Sequence, residues 1–439
     1  MTDLFSFPWW ALVLMACGVI GIATSILSLF SSIGDRASKA SLVDSCAVHT
    51  EDFLQALAGV LNSPLQSGGS AELLNNGDQY FPRMLQAIRE AEHTINFTTY
   101  IWHDGKVSKQ FFQALTERAR AGVQVRVLVD GFGGLRAPDD DISQLREAGG
   151  KWAFFNAPRF GRLTRLHKRT HRRALLIDGR IGFTGGAAVM DKWRGDAGNP
   201  EEWRDTMVEV RGKLAVNLQS AFTQLWTHAT GELISGDGFY SNDEEESTAD
   251  RPEAQLIRRH LNVISSPSSH AHPMRHLYWF SISSAEKRLY ITNPYFVPDK
   301  TLAVALKDRA ERGIDVRVLV PNEHIDVPMI RWASHSYYEE LLAAGVRIFE
   351  FQPTMIHQKL LVADGIWSLV GSANMDVRSK ELNQENMLGL QDRGFGVEME
   401  RTFMADLARA REITLDQWRK RPLHRRIPER IARLFEEQF

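Results

Sequence analysis

The stretch HQKLLVAD, residues 357–364, places a histidine two positions before a lysine and seven before an aspartate. Side chains two positions apart lie on the same face of a β-strand, so His357 and Lys359 are expected to project together. The apolar run after Lys359 is typical of a buried strand, and Asp364 precedes a glycine that begins a turn. A charged pair at one end of a buried strand is costly unless it meets an anion or a partner. Taken alone, the stretch is also compatible with an exposed basic strand.

A second copy of this pattern begins at His171. The stretch HRRALLID, residues 171–178, has Arg173 and Asp178 at the offsets that Lys359 and Asp364 have from their histidine. His171 and Arg173 are therefore also expected to share a strand face. Two copies at equivalent places of a duplicated chain indicate a paired site, which one copy would not.

The similarity between the two halves extends outward from both motifs. The matching segments are LQAIREAEHTINFTTYIW (85–102) with WFSISSAEKRLYITNPYF (279–296), FFQALTERARAGVQVRVLVDG (111–131) with LAVALKDRAERGIDVRVLVPN (302–322), and LREAGGKWAFF (145–155) with LLAAGVRIFEF (341–351). The sequence pattern of each half predicts a strand, a helix, a strand, a helix and a strand, followed by a pair of strands. Such alternation indicates an α/β fold with a mostly parallel or mixed sheet and helices on its faces.

Two imidazoles in one site suit phosphoryl transfer. One attacks phosphorus, while the other protonates the leaving alcohol and later activates the acceptor. Lys359 and Arg173 would neutralise the developing charge on the phosphorane oxygens, and Ser372 and Asn374 in GSAN would add neutral donors. A zinc site fits poorly, because lysine and arginine are not zinc ligands and no third histidine has suitable spacing.

These segments resemble the phospholipase D superfamily, whose mark is a duplicated His-x-Lys-x4-Asp motif, and within it the bacterial cardiolipin synthases. The resemblance runs from NNGDQYFPRMLQAI to the end of the chain. The segments that carry it are RAGVQVRVLVDG, THRRALLIDGRIGFTGG, WRDTMVEVRG, NPYFVPD, HQKLLVADGIWSLVGSANMDVRS and LNQEN. It implies two similar α/β/α sandwich lobes with the active site between them, a phosphohistidine intermediate, and no metal or other cofactor. It also implies that the motif residues are catalytic, Asp178 and Asp364 among them.

The resemblance also implies an acidic residue beyond each motif that orients its histidine. The matching residues are Asp205 in WRDT and Glu385 in LNQEN, although either is also compatible with a surface acid at a strand end. The same resemblance places Gly185 and Gly186 of GGAAVMD at the substrate, as it does Ser372 and Asn374.

The first half departs from the family pattern at two positions. Arg173 stands where the family usually has lysine, and Ala188 stands where GGxN has asparagine. In the family the first-half histidine is commonly the nucleophile, but the sequence does not assign the roles of His171 and His357.

The N-terminus has the features of a membrane anchor. No charged residue occurs from Leu4 to Gly34, and the run at 9–30 is long enough as a helix to cross a hydrocarbon layer of about 30 Å. A signal peptide is the rival interpretation, but the chain opens MTDLF without a positive n-region. A buried helix would seldom be this long without a charge. Arg36 and Lys39 follow the segment, which favours a cytoplasmic position for the rest of the chain.

The chain of 439 residues has a net charge of −2 and only two cysteines, which excludes a disulfide framework and gives no global reason to expect nucleic acid. Basic residues do crowd the approach to His171, where they favour anionic head groups or nucleic acid, or form a solvated loop. They are Arg159, Arg162, Arg165, Lys168 and Arg169. The stretch WRKRPLHRR (418–426) is compatible with an anionic lipid contact or with the cap of a C-terminal helix.

The predicted organisation has five parts. They are a membrane anchor (1–34), a connector (35–70), a first lobe (71–234), an irregular acidic linker (235–255), and a second lobe with a basic tail (256–439). The expected function is a cardiolipin synthase-like phosphatidyltransferase, single-pass in the cell inner membrane, acting on phosphatidylglycerol in the bilayer without obligatory nucleic acid. The alternatives are a phosphodiesterase that hydrolyses phospholipid or, less readily, nucleic acid, and a non-catalytic scaffold that binds phosphate. The sequence does not predict the oligomeric state.

Overall fold

The structure is a computed structural model that describes residues 46–157, 168–236, 238–240, 254–266, 272–422, 426–429 and 432. These residues belong to one compact unit, Ser45–Phe439. The predicted anchor at 1–34 lies outside the described residues. Within the described ranges, none of the helices combines the length and the apolar character needed to span a bilayer.

The first half contains five helices and eight strands within the described residues. They are α1 (Glu51–Leu61), β1 (Ser70–Asn75), α2 (Gly77–Glu90), β2 (Thr94–Thr99), α3 (Lys106–Arg120), β3 (Gln124–Asp130), α4 (Asp139–Glu147), β4 (Lys151–Phe155), β5 (Ala174–Ile177), β6 (Ile181–Gly185), β7 (Thr206–Arg211), α5 (Lys213–Thr230) and β8 (Gln255–Leu256). A short 3₁₀ helix, Asp191–Trp193, lies between β6 and β7.

The second half repeats the pattern. Its elements are β9 (Arg259–Ile264), α6 (Pro273–Ser283), β10 (Arg288–Thr292), α7 (Lys300–Glu311), β11 (Asp315–Pro321), α8 (Pro328–Ala343), β12 (Arg347–Phe351), β13 (Leu360–Ala363), β14 (Trp367–Gly371), β15 (Asn386–Gln391), α9 (Arg393–Leu407), β16 (Ala410–Ile413) and α10 (Leu415–Arg419). A single π-helical turn, Arg378–Leu382, lies between β14 and β15.

The two sheets have matching strand orders. The first runs β4-β3-β2-β5-β6-β7-β1-β8 and the second runs β16-β12-β11-β10-β13-β14-β15-β9. In each, three consecutive strands are parallel (β2, β3 and β4; β10, β11 and β12), and the next strand (β5; β13) is antiparallel to them and pairs with the strand that follows it. The expected α/β lobes with mixed sheets are therefore confirmed, and the motif histidines precede the equivalent strands β5 and β13.

The two lobes share one apolar core. Helix α5 packs on β5 and β6 of its own sheet and also on β9 of the other, while α9 packs on β13 and β14 and also on β1. Side chains from both sheets and from both helices join a single buried cluster, which includes Leu176 and Leu218 of the first lobe and Val362 and Leu388 of the second. The lobes are thus joined by packing as well as by the chain.

Two segments between the predicted units form regular structure. Helix α1 lies in the predicted connector and buries Phe53, whose ring is 5.2 Å from Phe280 and 5.1 Å from Trp367 of the second lobe. In the predicted acidic linker, Gln255 begins strand β8, which pairs with β1. The linker residues at 241–253 lie outside the described ranges.

Candidate active site

Both motif histidines line one cleft of about 420 Å³ at the carboxyl ends of the parallel strands. Strand β5 runs antiparallel to β2 and pairs Ala174 with Thr98, so His171 lies beyond the end of β2. Strand β13 pairs Leu360 with Thr292, so His357 lies beyond the end of β10 in the same way. The duplicated topology thus brings both imidazoles to one cleft between the lobes.

His357 is held by a carboxylate from the other lobe. Its Nδ1 lies 2.9 Å from Oδ2 of Asp205, and because a carboxylate only accepts, Nδ1 carries the proton. Nε2 then has the lone pair. Nζ of Lys359 donates to the carbonyl of His357 at 2.6 Å and lies 2.9 Å from Nδ1 and 3.0 Å from Nε2. Trp203 stacks on the imidazole at 5.6 Å, and Trp193 donates a hydrogen bond of 2.8 Å to Asp205. The ring is therefore fixed in one tautomer with Nε2 available for chemistry.

Burial controls the charge of this group. Burial and the neighbouring ammonium of Lys359 lower the pKa of His357 to about 3, although Asp205 opposes them. Burial also lowers the pKa of Lys359 to about 7, again against Asp205. Burial alone would raise the pKa of Asp205, but the hydrogen bond from His357 and the nearby positive charge lower it. At neutral pH the imidazole of His357 is therefore neutral and able to act as a nucleophile or base.

His171 has the equivalent carboxylate. Its Nδ1 lies 3.3 Å from Oε1 of Glu385, which is fully buried in the second lobe, so the two are within ion-pair distance but do not form a hydrogen bond as His357 and Asp205 do. The ring of Tyr100 lies 4.4 Å from the imidazole. Arg173, only 2% exposed, donates from Nη1 to the carbonyl of His171 at 2.8 Å and lines the same cleft. Burial lowers the pKa of Arg173, with Glu385 as the main opposing charge.

The acids serve the histidines across the lobe boundary. The sequence predicted an acid beyond each motif that orients its own histidine, and the structure corrects this pairing. Short backbone bridges explain the exchange: the amide of His357 donates to the carbonyl of Arg204 at 2.7 Å, and the amide of His171 donates to that of Gln384 at 2.8 Å. Each histidine therefore lies beside the segment that carries the acid of the opposite half.

Two polar side chains of GSAN have different surroundings. The hydroxyl of Ser372 donates to Glu385 at 2.5 Å, and Ser379 donates to the other oxygen of that carboxylate at 2.8 Å. Asn374 lines the cleft, and its buried Oδ1 has no hydrogen-bond partner within the described residues. Ser372 thus holds the acid, whereas Asn374 faces the space that a substrate would fill.

Gly185 and Gly186 lie where a side chain would collide with the segment that carries Asp205. A Cβ on Gly186 would lie 2.3 Å from Oδ1 of Asp205, and one on Gly185 would lie 2.5 Å from the carbonyl of Thr206. Gly185 also has a φ of 152°, which disfavours other residues. Gly186 is therefore required by close packing against Asp205 and Gly185 by close packing against Thr206 and Met207, and neither lines the cleft.

Asp178 and Asp364 lie away from the cleft, which corrects their predicted place among the catalytic residues. Oδ1 of Asp178 accepts from the amides of His93 and Thr94 at 2.8 and 2.7 Å, and Oδ2 accepts from Glu92 at 2.8 Å. Asp364 accepts in the same way from three amides before β10. Seven residues of extended chain span roughly 23 Å, so the histidine and the aspartate of one motif lie at opposite ends of the motif strand.

The departure at Ala188 has a structural reason. Ala188 is 4% exposed and lines a small apolar cavity with Phe81, Phe97 and Met207. An asparagine there would place an amide among apolar side chains. The position does not line the cleft in this lobe, unlike Asn374 in the other.

The basic residues before His171 are only partly described. Arg159, Arg162 and Arg165 lie outside the described residues, whereas Arg169 lines the cleft and lies 3.4 Å from Asp130. Among the residues that the structure does describe, no group of three or more histidine, cysteine, aspartate or glutamate side chains could hold a metal ion.

Several residues that line the cleft were missed by the sequence reasoning. They are Tyr100, Trp193, Trp203, Tyr295, Asp326, Asp376 and Arg378. Trp203, Tyr295, Asp376 and Arg378 do lie in segments that carried the family resemblance, so the signal was present. Asp326 lies in the loop between β11 and α8, where only the equivalence of that loop with the one after β3 could have indicated it.

The duplicated lobes, the paired histidines and the crossed carboxylates define an enzyme of the phospholipase D superfamily. The family model described as "Cardiolipin synthase, PLD-like domain" matches residues 84–226 and 280–407. The chain therefore belongs to the cardiolipin synthase family with phospholipase D-like domains.

Curated relatives agree with this assignment, and a solved structure has a similar fold. The chain is 35% identical to cardiolipin synthase 2 of Bacillus anthracis over 86% of its length and 71% of the relative's. It is 34% identical to the cardiolipin synthase of Geobacillus kaustophilus over 88% and 76%. The fold is similar to that of phosphatidylserine synthase from Haemophilus influenzae, with a TM-score of 0.65, 14% identity, and coverage of 89% of this chain and 99% of that one.

Proposed function

We propose that this chain is a membrane-anchored cardiolipin synthase that transfers a phosphatidyl group from one phosphatidylglycerol to the hydroxyl of another and releases glycerol. The observation that carries the proposal is the arrangement of His171 and His357 in one cleft, each on the carboxylate of the opposite lobe. The names of the curated relatives, which are cardiolipin synthases, support cardiolipin as the product.

The first step forms a phosphohistidine. The lone pair of one imidazole attacks phosphorus, a P–N bond forms, and the P–O bond to the leaving glycerol breaks. The second imidazole, protonated at that moment, gives its proton to the glycerol oxygen. The carboxylate behind each ring stabilises the imidazolium form and keeps the reactive nitrogen pointed into the cleft.

The second step reverses these roles. The head-group hydroxyl of a second phosphatidylglycerol loses its proton to the imidazole that is now neutral. Its oxygen attacks phosphorus, a P–O bond forms and the P–N bond breaks, which restores the free histidine. No water is needed, so the cleft must favour a lipid alcohol over water as the acceptor.

Positive charge stabilises the phosphorane between these steps. Lys359 lies beside Nε2 of His357, and Arg173 lines the cleft next to His171. Asn374 offers an amide from the same wall. Fixed donors of this kind, aimed where negative charge develops, commonly contribute on the order of 10²-fold each to the rate.

The decisive experiment follows both ends of the substrate. The full chain is incubated with phosphatidylglycerol labelled in the acyl chain and in the glycerol head group, and the products are resolved. Cardiolipin with an equal amount of glycerol supports the synthase. Phosphatidic acid with an equal amount of glycerol, and no cardiolipin, indicates a hydrolase, and no turnover of phospholipid or nucleic acid indicates a scaffold. His171→Ala and His357→Ala should each abolish most turnover, whereas His93→Ala, an exposed control, should not.

The N-terminal segment is proposed as the anchor. Its charge-free run at 4–34 is the supporting observation. In the full chain, Leu14→Lys with Ile20→Lys should weaken insertion by roughly 2.5–3.5 kcal/mol per charge. Carbonate extraction of membranes measures this: the wild-type chain should stay with the bilayer and the double variant should be released. Equal retention of both would place the anchor elsewhere, for example in the basic stretch at 418–426.

A further inference from the structure

The cleft contains two carboxylates that a phosphate site does not explain. Asp326 and Asp376 both line it, together with His171 and His357. Within the described residues, neither carboxylate lies within ion-pair distance of a cation, although the charge of Asp326 acts against burial to raise the pKa of Lys359, and the charges of His171 and Lys380 act against burial to lower the pKa of Asp376. Phosphate oxygens and carboxylate oxygens both accept hydrogen bonds, so these two side chains oppose a phosphodiester and suit a group that donates.

Asp326 is exposed to the cleft and only partly satisfied. The hydroxyl of Tyr295 lies 2.8 Å from each of its carboxylate oxygens. That is one donor, whereas a carboxylate accepts about four hydrogen bonds. Tyr295 therefore orients Asp326 and leaves most of its accepting capacity directed toward the cleft.

Asp376 is 3% exposed, and it also keeps accepting capacity. Its Oδ1 accepts from the amide of Ser379 at 2.7 Å, at the start of the π-helical turn. No described residue donates a hydrogen bond to Oδ2, and the side chain lines the cleft. Burial raises the pKa of Asp376, with the amide of Ser379 opposing. A carboxyl group this buried requires hydrogen-bond partners, and a bound ligand would supply them.

We propose that Asp326 and Asp376 form an acceptor subsite that binds the hydroxyl groups of an uncharged polyol head group. The inference rests on the proposed function, since it names the part of the cleft that selects the second substrate. Arg173, which lines the cleft, and Lys359, which lies beside His357, hold the phosphate, and the two carboxylates take the head group's O–H donors. An ammonium head group would also suit a carboxylate, but those cations repel it.

The test compares acceptors that differ only in hydroxyl groups. The full chain is reconstituted in phosphatidylglycerol vesicles and supplied with equal concentrations of glycerol and 1-propanol, with labelled glycerol to follow exchange. The measured quantity is the ratio of labelled phosphatidylglycerol to phosphatidylpropanol. The wild-type enzyme should favour glycerol, because only glycerol has the additional donors that the carboxylates accept.

Asp326→Asn should lower this ratio about tenfold, since a hydrogen bond to a charged acceptor is replaced by a weaker one. Asp376→Asn should also lower this ratio, because the charge that strengthens the hydrogen bond to glycerol is lost. The side-chain amide oxygen of asparagine can still accept the hydrogen bond from the backbone of Ser379. Glu323→Gln is the matched control, in the same loop but outside the cleft, and should leave the ratio unchanged.

The outcomes separate this inference from the proposed function. Cardiolipin synthesis with an unchanged ratio in both aspartate variants overturns the subsite and leaves the synthase standing. Glycerol exchange with the expected shift, but without cardiolipin, supports the subsite and removes the synthase. A parallel competition supplies ethanolamine and glycerol. A wild-type preference for ethanolamine that Asp326→Asn abolishes would assign the subsite to an amine instead. Transfer to none of these acceptors also overturns the subsite, because no acceptor is then bound.

Discussion

At the scale of single residues, the charge of Lys359 depends on burial. Its pKa of about 7 in the folded protein is far below the ordinary value for lysine, so the ammonium is lost as the pH rises through 7. A bound phosphate opposes this loss, because it favours the charged form. The activity of the free enzyme should therefore be more sensitive to alkaline pH than that of the substrate complex.

The expected result is a fall in kcat/KM as the pH rises above about 7, with the corresponding limb of kcat displaced to higher pH. Lys359→Arg should be slower, because a planar guanidinium fits poorly where lysine is enclosed, but its kcat/KM should lack this limb since arginine stays charged. The measurement is a pH profile of both enzymes on one lipid. A limb near pH 7 that persists in Lys359→Arg would belong to another group.

At the scale of elements, Asp178 and Asp364 fasten turns rather than assist the reaction. Each follows a short motif strand and has a positive φ, 52° for Asp178 and 56° for Asp364. Each accepts hydrogen bonds from three backbone amides at the start of a parallel strand. The offset of seven positions between the histidine and the aspartate of each motif therefore reflects the length of the strand that separates them. The aspartate ties the far end of that strand to the neighbouring strand while the histidine reaches the cleft.

Asp364→Asn should thus destabilise the protein by about 1–3 kcal/mol, because an amide has one accepting oxygen and no charge. Asparagine tolerates the left-handed backbone, so Asp364→Ala should be worse. Chemical denaturation measures the free energy of unfolding, and activity per folded molecule should be largely kept in Asp364→Asn. A stable but inactive Asp364→Asn protein would return the aspartate to the catalytic residues.

The strand and helix alternation was predictable from the sequence because it repeats, and each copy supports the other. The motif histidines were predictable for the same reason. Strands β1, β7, β9 and β15, which lie beyond the motif strand pair in each sheet, were not predictable, because no similarity between the two halves was evident in their segments. Nor was the exchange of Asp205 and Glu385, since sequence spacing says nothing about which lobe a side chain reaches. Asp326 lies on a loop, where neither periodicity nor a motif indicates a role.

At the scale of the whole molecule, the shared core predicts cooperative unfolding. Leu218 and Leu388 come from different lobes, are both fully buried, and belong to one apolar cluster. Substitution of either by alanine should cost about 2–5 kcal/mol and should lower the temperature of the same transition. Calorimetry of Leu218→Ala and Leu388→Ala tests this. Two transitions, each moved only by the substitution in its own lobe, would show that the lobes unfold independently.

The crossed acids also limit how the two copies can diverge. A duplicated segment usually gains freedom, because one copy can decay while the other continues to work. Here His171 needs Glu385 and His357 needs Asp205, so decay in either copy disables a histidine inherited with the other. Ala188, which lies in an apolar cavity outside these pairs, shows where drift is tolerated. A natural exchange of one half with a relative's gene succeeds only if the incoming lobe brings both an acid and a histidine that fit the resident one.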